Sequence, residues 1–274
     1  MFQAPIQRNT RARGAISLLE RIYHAVVRSI RQSHRNAIMG LFINIAQTLT
    51  LVLAMYIMFE ILGLRGMSLR GDFLLFIMSG IFVYMTHIKA VSSVMGSEGP
   101  ASPMMQHAPM NTAIAISAAA LSSLYIQVLS LFVVLALYHI IITPLTILYP
   151  TYAFGMLLLA WFTGLAVGMI FLALKPWAPG LIGVLSSIYI RVNMFASGKM
   201  FVANALPASK LAIFSWNPLF HIIDQGRGFI FLHYNPHFSS WPYALAVGLV
   251  LLLVGLLGEF YTRKHVSASW TAGR

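Results

Sequence analysis

The sequence predicts an all-α membrane protein that crosses the bilayer six times. Three observations predict it. Of 274 residues, 59% are hydrophobic and 9% charged, with a mean hydropathy of +0.80, whereas a soluble domain carries about 25% charged residues. The apolar residues gather into six runs, and about 20 helical residues at ~1.5 Å each span a ~30 Å hydrocarbon core. The basic residues are concentrated ahead of the first run, where they fix an orientation.

The chain begins with a cationic stretch, residues 1–36, in which Arg8, Arg11, Arg13, Arg21, Arg28, Arg31 and Arg35 all precede the first apolar run. It lacks the short apolar core and small-residue cleavage site of a signal peptide and is expected to persist. From Ile16 a helical period emerges. Ile16, Leu19, Tyr23, Val26 or Val27, and Ile30 form one stripe, and Ser17, Arg21, His24, Arg28, Arg31 and Arg35 the opposite one. A helix with one greasy and one cationic face is expected to lie along a membrane surface, on the cytoplasmic side beside anionic lipid.

A six-span domain is expected over residues 37–262. Ala37–Leu62 is the first span, with Asn44 and Thr48 one turn apart on a shared face where they satisfy each other or a neighbouring helix. Phe73–Met95 returns, and its Lys89 is placed to extend towards the interface. Ala113–Ile142 is capped by Asn111 and Thr112 and closed by Thr143-Pro144. Within it Gln127 requires a partner or water, whereas Tyr138 and His139 read as an interfacial belt. Thr151–Leu174 carries Gly164 and Gly168 at the spacing that lets helices approach closely. Leu181–Gly198 has Arg191 and Asn193 in its outer half, so one side of it is expected to meet a polar path or a partner. Pro242–Tyr261 is the last span, and the basic tail 263–274 stops it in the cytoplasm.

Two irregular stretches interrupt this pattern. Residues 96–112 form a polar, three-proline segment, too short for a domain. Pro103 can open a turn or two of helix and Pro109 close it, presenting Met104, Met105 and His107 as an adaptable docking surface; a plain chain reversal is the alternative. Residues 200–236 are rich in Phe, Leu and Ile yet broken by Pro207, Lys210, Asn217-Pro218, His221, Asp224 and Arg227. A lipid-facing span tolerates no such breaks. This stretch therefore reads as an outer re-entrant pair of short helices, one on each side of Asn217-Pro218.

Several function classes are unsupported. Cysteine is absent, which removes disulfides and thiolate metal sites. No phosphate loop is present, since Gly198-Lys199 is followed by Met200 and has Asn193 where the earlier glycine would stand. There is no zinc-protease motif, nucleophile elbow or carboxylate pair, so no enzymatic activity, metal or bound cofactor is expected of this chain. An ion-coupled carrier would show intramembrane carboxylates or internal repeats, whereas Glu60 and Glu259 lie at span ends. Nucleic acid is not expected despite the net charge of +12, because that charge sits where a membrane surface lies.

With the cationic first helix, the six spans, Glu98-Gly-Pro-Ala-Ser-Pro-Met-Met and Trp216-Asn217-Pro218-Leu219-Phe220-His221 in place, the chain resembles ABC-2 type transporter permeases, and more closely their polysaccharide-export branch. Blocks such as His34-Arg35-Asn36-Ala37-Ile38-Met39 and Gly258-Glu259-Phe260-Tyr261-Thr262-Arg263 carry the same likeness. The resemblance implies a homodimer in a bacterial inner membrane, both termini cytoplasmic, working with two ABC ATPase subunits that bind the ATP and Mg. It implies a lipid-linked polysaccharide, such as a capsular glycan, as cargo, with periplasmic and outer-membrane export proteins as further partners. Export of another substrate, a lipid or drug, is the nearer alternative, and an ion-coupled carrier the more distant one. Residues 97–110 would then be the ATPase-coupling segment, with Glu98, Pro103, Met104, Met105 and His107 at its surface. Apart from Glu98 this segment is uncharged, where many relatives carry basic residues. Tyr56, Tyr84, Tyr189 and Arg191 are candidates for the substrate path, each also readable as packing or belt. Asn217, Pro218, Asp224 and Arg227 are candidates for an outer gate.

Overall fold

The computed structural model describes residues 11–33, 37–63, 72–97, 99 and 111–265. Among these residues every regular element is a helix and no strand occurs: α1 (Arg11–Ser33), α2 (Ala37–Ile61), α3 (Phe73–Met95), α4 (Thr112–Ile141), α5 (Pro150–Leu174), α6 (Pro179–Ala196), a 3-10 turn (Ala203–Ala205), α7 (Ala208–Phe214), α8 (Pro218–Ile230) and α9 (Trp241–His265). Six of them, α2 to α6 and α9, are long and apolar enough to cross a membrane. The chain is a multi-pass membrane protein.

Caps set most of these boundaries. Asp72 accepts from the amides of Leu74 and Leu75 to start α3, and Asn111 accepts from Ala113 to start α4, each satisfying a donor the first turn would leave bare. Proline stands in the first turn of α5, α6 and α8, where the missing amide costs nothing. Some boundaries differ from the pattern in the sequence. The first helix begins at Arg11 rather than Ile16, α6 stops at Ala196 rather than Gly198, and α9 runs on to His265, four residues past Tyr261. Gly198 has a φ of +76°, a left-handed conformation that turns the chain tightly just past the end of α6.

α5 is the axis, packed along its length against α3 on one side and α9 on the other. The approach is close because glycines line both seams. A Cβ on Gly164 would lie 2.4 Å from the His87 carbonyl oxygen, and one on Gly168 would lie 2.9 Å from that of Val91. On the other seam, a Cβ on Gly248 would lie 2.9 Å from the Phe162 ring and one on Gly255 2.7 Å from Met169 Cβ. Where lipid tails are as apolar as the side chains, such contact is what holds spans together. α3 is accordingly the most buried span, with Phe76, Ile77, Ile81, Ala90, Val91 and Val94 almost wholly enclosed. α2 and α4 close the α3 side, α8 wedges between α3, α5 and α9, and α1 lies across α4.

α6 is attached differently. Only Ile182, Ser186 and Asn193 are buried, with Tyr189 half-buried on the same stripe. Leu181, Val184, Leu185, Ile188, Val192 and Phe195 are exposed.

Tyr138 departs from its expected place in an interfacial belt. It is buried, and its hydroxyl donates to Asp72 at 2.5 Å, because the α3 cap is there to receive it. His139 is exposed, and its Nδ1 accepts from the Leu145 amide.

Candidate functional site

The polar side chains gather at the two ends of the bundle and along one seam between them. At the end where α6 stops and α8 begins, the turn after α6 folds over α3 and is pinned by α8. Arg227 of α8 is buried. Its Nη1 donates to the carbonyls of Gly198 (2.9 Å) and Phe201 (2.6 Å), its Nη2 to that of Lys199 (2.6 Å), and its guanidinium lies 4.0 Å over the Phe76 ring. A planar fork is the side chain that can span three carbonyls at once, and a cation at a helix C-terminus is favoured by the helix dipole. Gly80 makes room: a Cβ there would lie 2.9 Å from both Arg227 Nη2 and Lys199 Cβ. Burial lowers the Arg227 guanidinium to about 10, with the charge of Asp224 acting in the opposite direction.

Asp224, one turn earlier on α8, accepts from the hydroxyls of Tyr234 and Ser239 and from the Ala203 amide. Burial, reinforced by Asp224, raises the Tyr234 hydroxyl so that it stays protonated and donates. Asn217 completes the knot. Its Oδ1 caps α8 through the Leu219 amide, and its Nδ2 donates to Asn193 Oδ1 and the Ala196 carbonyl of α6. Pro218 is the first residue of α8. The four residues expected at an outer gate thus occupy one small region, where they join α6, its following turn and α8. His221 sits beside them with both ring nitrogens used: Nε2 donates to the Ser215 carbonyl and Nδ1 accepts from the Ser240 amide.

Lys199 belongs to the same region and was not singled out by the sequence. It is fully buried, its Nζ lies 3.9 Å over the Tyr84 ring, and that nitrogen has no hydrogen-bond partner among the described residues. Burial lowers its ammonium to about 8. Tyr84 in turn donates to the Ile190 carbonyl of α6.

Deeper along the α3–α5–α6 seam lies His87, completely buried. Its Nδ1 is 3.1 Å from the Ala160 carbonyl and 3.1 Å from Thr163 Oγ1, and its Nε2 is 2.8 Å from the Tyr189 hydroxyl. The carbonyl can only accept, so Nδ1 carries the proton and Nε2 receives the Tyr189 hydrogen. Of the four substrate-path candidates, Tyr84 and Tyr189 therefore meet on this seam as anchors of α6. Tyr56 packs against Phe73 between α2 and α3. Arg191 is exposed on the outward face of α6. Among the described residues these four do not converge on one cavity.

At the opposite end, the last turns of α9 tie the bundle shut. Glu259 is buried and accepts from Thr112 Oγ1 at 2.8 Å, next to the first turn of α4, where a carboxylate is favoured. Thr262 donates to the Ala173 carbonyl and accepts from Trp177 Nε1, and Lys175 reaches the Met95 carbonyl at 3.5 Å. The connection from α3 to α4 therefore leaves and returns beside the ends of α5 and α9. Glu98, Pro103, Met104, Met105 and His107 lie outside the described residues. Gly99, within that connection, rests near the Leu172 side chain.

The same end holds a cavity of about 310 Å³ between α1, α2, α3 and α4. Asn44 is satisfied by the neighbouring helix α4, donating to Gln127 Oε1 (2.5 Å) and Ser130 Oγ (2.8 Å), while Thr48 Oγ1 donates to the Asn44 backbone carbonyl. This pairing satisfies the oxygen of the Gln127 amide and leaves its nitrogen without a partner among the described residues. Lys89 donates to Gln47 Oε1 at 2.7 Å. Among the described residues no group of three metal-binding side chains occurs.

In comparisons with known proteins, neither a family model nor a curated protein matches the chain.

Proposed function

We propose that the chain is the permease subunit of an ATP-driven ABC-2 type exporter, moving a lipid-linked polysaccharide across a bacterial inner membrane. The observation that carries this reading is the convergence at one end of the bundle. The cationic helix α1 lies against α4, and both roots of segment 97–110, at Met95–Ser97 and Asn111–Thr112, are tied to α5 and α9 by Lys175 and Glu259. A force applied to that segment reaches α3 and α4 directly, and through α3 the central axis. The chain carries no nucleotide-binding motif, so the work of ATP enters from a separate ATPase pair seated there, with the termini in the cytoplasm. Two copies of the chain enclose the cargo path. The outer knot of Asn217, Asp224 and Arg227 holds the far end of α6 as its gate.

Co-expression with an ATPase encoded in adjoining reading frames tests the reading. The two chains are expected to co-purify, and deletion of residues 97–110 is expected to abolish the complex while the six-span body remains monodisperse. Unchanged co-purification after that deletion would refute the coupling assignment. Export of surface glycan by the intact pair, lost on deletion of this chain, tests the cargo; normal surface glycan with another secreted lipid missing would transfer the reading to that substrate.

A further inference from the structure

The cavity between α1, α2, α3 and α4 takes no part in the mechanism above, yet its lining is chemically specific. Ser29, Asn44, Gln47, Lys89, Ser92 and Gln127 are among the residues that face it. Its volume of about 310 Å³ is roughly ten times the ~30 Å³ share of a water molecule, enough for a polyatomic group.

The polar inventory of the lining is lopsided. Ser93 and Ser122 donate to the Ala119 carbonyl and Ser123 to that of Ala120, which uses their protons. The oxygen of the Gln127 amide is taken by Asn44, but its Nε2 has no partner among the described residues although Gln127 is only 2% exposed. Both amide protons are therefore unused. Lys89 gives one of its three protons to Gln47, and no carboxylate lines the cavity among the described residues. What remains is a cation and a buried amide, both donors. A buried donor without a partner is costly, and the group that satisfies an ammonium and an amide together is an anionic oxygen cluster.

Position narrows the class. Lys89 lies six residues before Met95, so ~9 Å inside the end of α3, the depth of a headgroup boundary. α1 forms the outer wall through Ser29, whose hydroxyl is 3.1 Å from that of Ser122. We infer that this cavity is a seat for a phosphate group, that of an anionic phospholipid headgroup or a free phosphate, held by Lys89 and Gln127 Nε2. Its occupancy staples α1 to the bundle.

The full chain, delipidated in detergent, is titrated separately with short-chain phosphatidylglycerol and with inorganic phosphate, and bound ligand is read by native mass spectrometry. Retention of phosphatidylglycerol is expected, weakened about tenfold or more in Lys89→Gln and restored in Lys89→Arg. Gln127→Glu keeps the oxygen that Asn44 uses but places a second negative charge in the seat, and is expected to abolish retention; it serves equally if Lys89→Gln is not monodisperse. Displacement of the lipid by inorganic phosphate would place recognition in the phosphate group itself, whereas phosphate without effect would assign the seat to the headgroup as a whole. Equal retention by wild type, Lys89→Gln and Gln127→Glu, or no retention of either probe by wild type, would overturn the inference.

Discussion

Lys199→Met is expected to make the protein more stable at neutral pH. Burial brings the Lys199 ammonium from its ordinary 10.5 to about 8. At ~1.4 kcal/mol per pH unit, that displacement corresponds to ~3 kcal/mol held against the charged form. The Tyr84 ring beneath Nζ offsets part of it, up to ~2 kcal/mol for a desolvated pair. The net penalty is ~1 kcal/mol or more, and Met keeps the stem that fills the space while removing the charge. The pH dependence follows from proton counting. Above 10.5 the lysine is neutral in folded and unfolded chains alike, and no penalty exists. Between 10.5 and about 8 the unfolded chain holds a proton that the folded one does not, so wild-type stability falls as pH falls. Below 8 both forms are charged and the penalty is complete. Unfolding of the detergent-solubilised protein should therefore show the variant ahead of wild type at pH 7, with the gap closing by pH 10.5. A wild type more stable than the variant at pH 7, or a gap independent of pH, would refute the reasoning.

Other expectations concern the seams and the knot. Arg227→Lys should cost at least ~3 kcal/mol, since an ammonium cannot reach three carbonyls and buried acceptors are left bare; thermal unfolding measures it. Gly164→Ala should cost ~1–3 kcal/mol by forcing α3 from α5. Gly155→Ala, on the same helix with nothing within 4 Å, should be neutral or stabilising by up to ~1 kcal/mol, so equal losses at both positions would sink the close-packing argument. Tyr189→Phe removes the donor to His87 Nε2 and should cost ~1–2 kcal/mol in the same assay. Arg191→Ala is expected to leave folding unchanged, because the side chain is exposed, while reducing glycan export; undiminished surface glycan would remove Arg191 from the cargo path.

The spans were legible because an apolar run long enough to cross a bilayer forms a helix almost whatever its detail, and because Asp72, Asn111 and the prolines mark its ends. Gly164 and Gly168 carried a spacing whose meaning the structure makes concrete in the approach to His87 and Val91. Partnership was not legible. Asn44 has Thr48 one turn away, but its amide finds Gln127 and Ser130, 83 and 86 residues further along, and no local period announces a pairing of that reach. The burial of Tyr138 is hidden for the same reason: beside the local Thr143 hydroxyl its partner is Asp72, 66 residues earlier. Nothing around Gly198-Lys199 in the sequence signals the burial of Lys199, which follows from the small residue Gly80 letting the turn settle onto α3.

The single stripe by which α6 touches its neighbours has a mechanical corollary. A rod held along one line, fastened at its far tip by Asn193 to Asn217 and at mid-length by Tyr189 to His87, has a hinge but no socket. Spin labels bridging α3 and α5 should accordingly report one narrow distance, while labels on the bare side of α6 report a spread that contracts only when a neighbouring molecule lies against it.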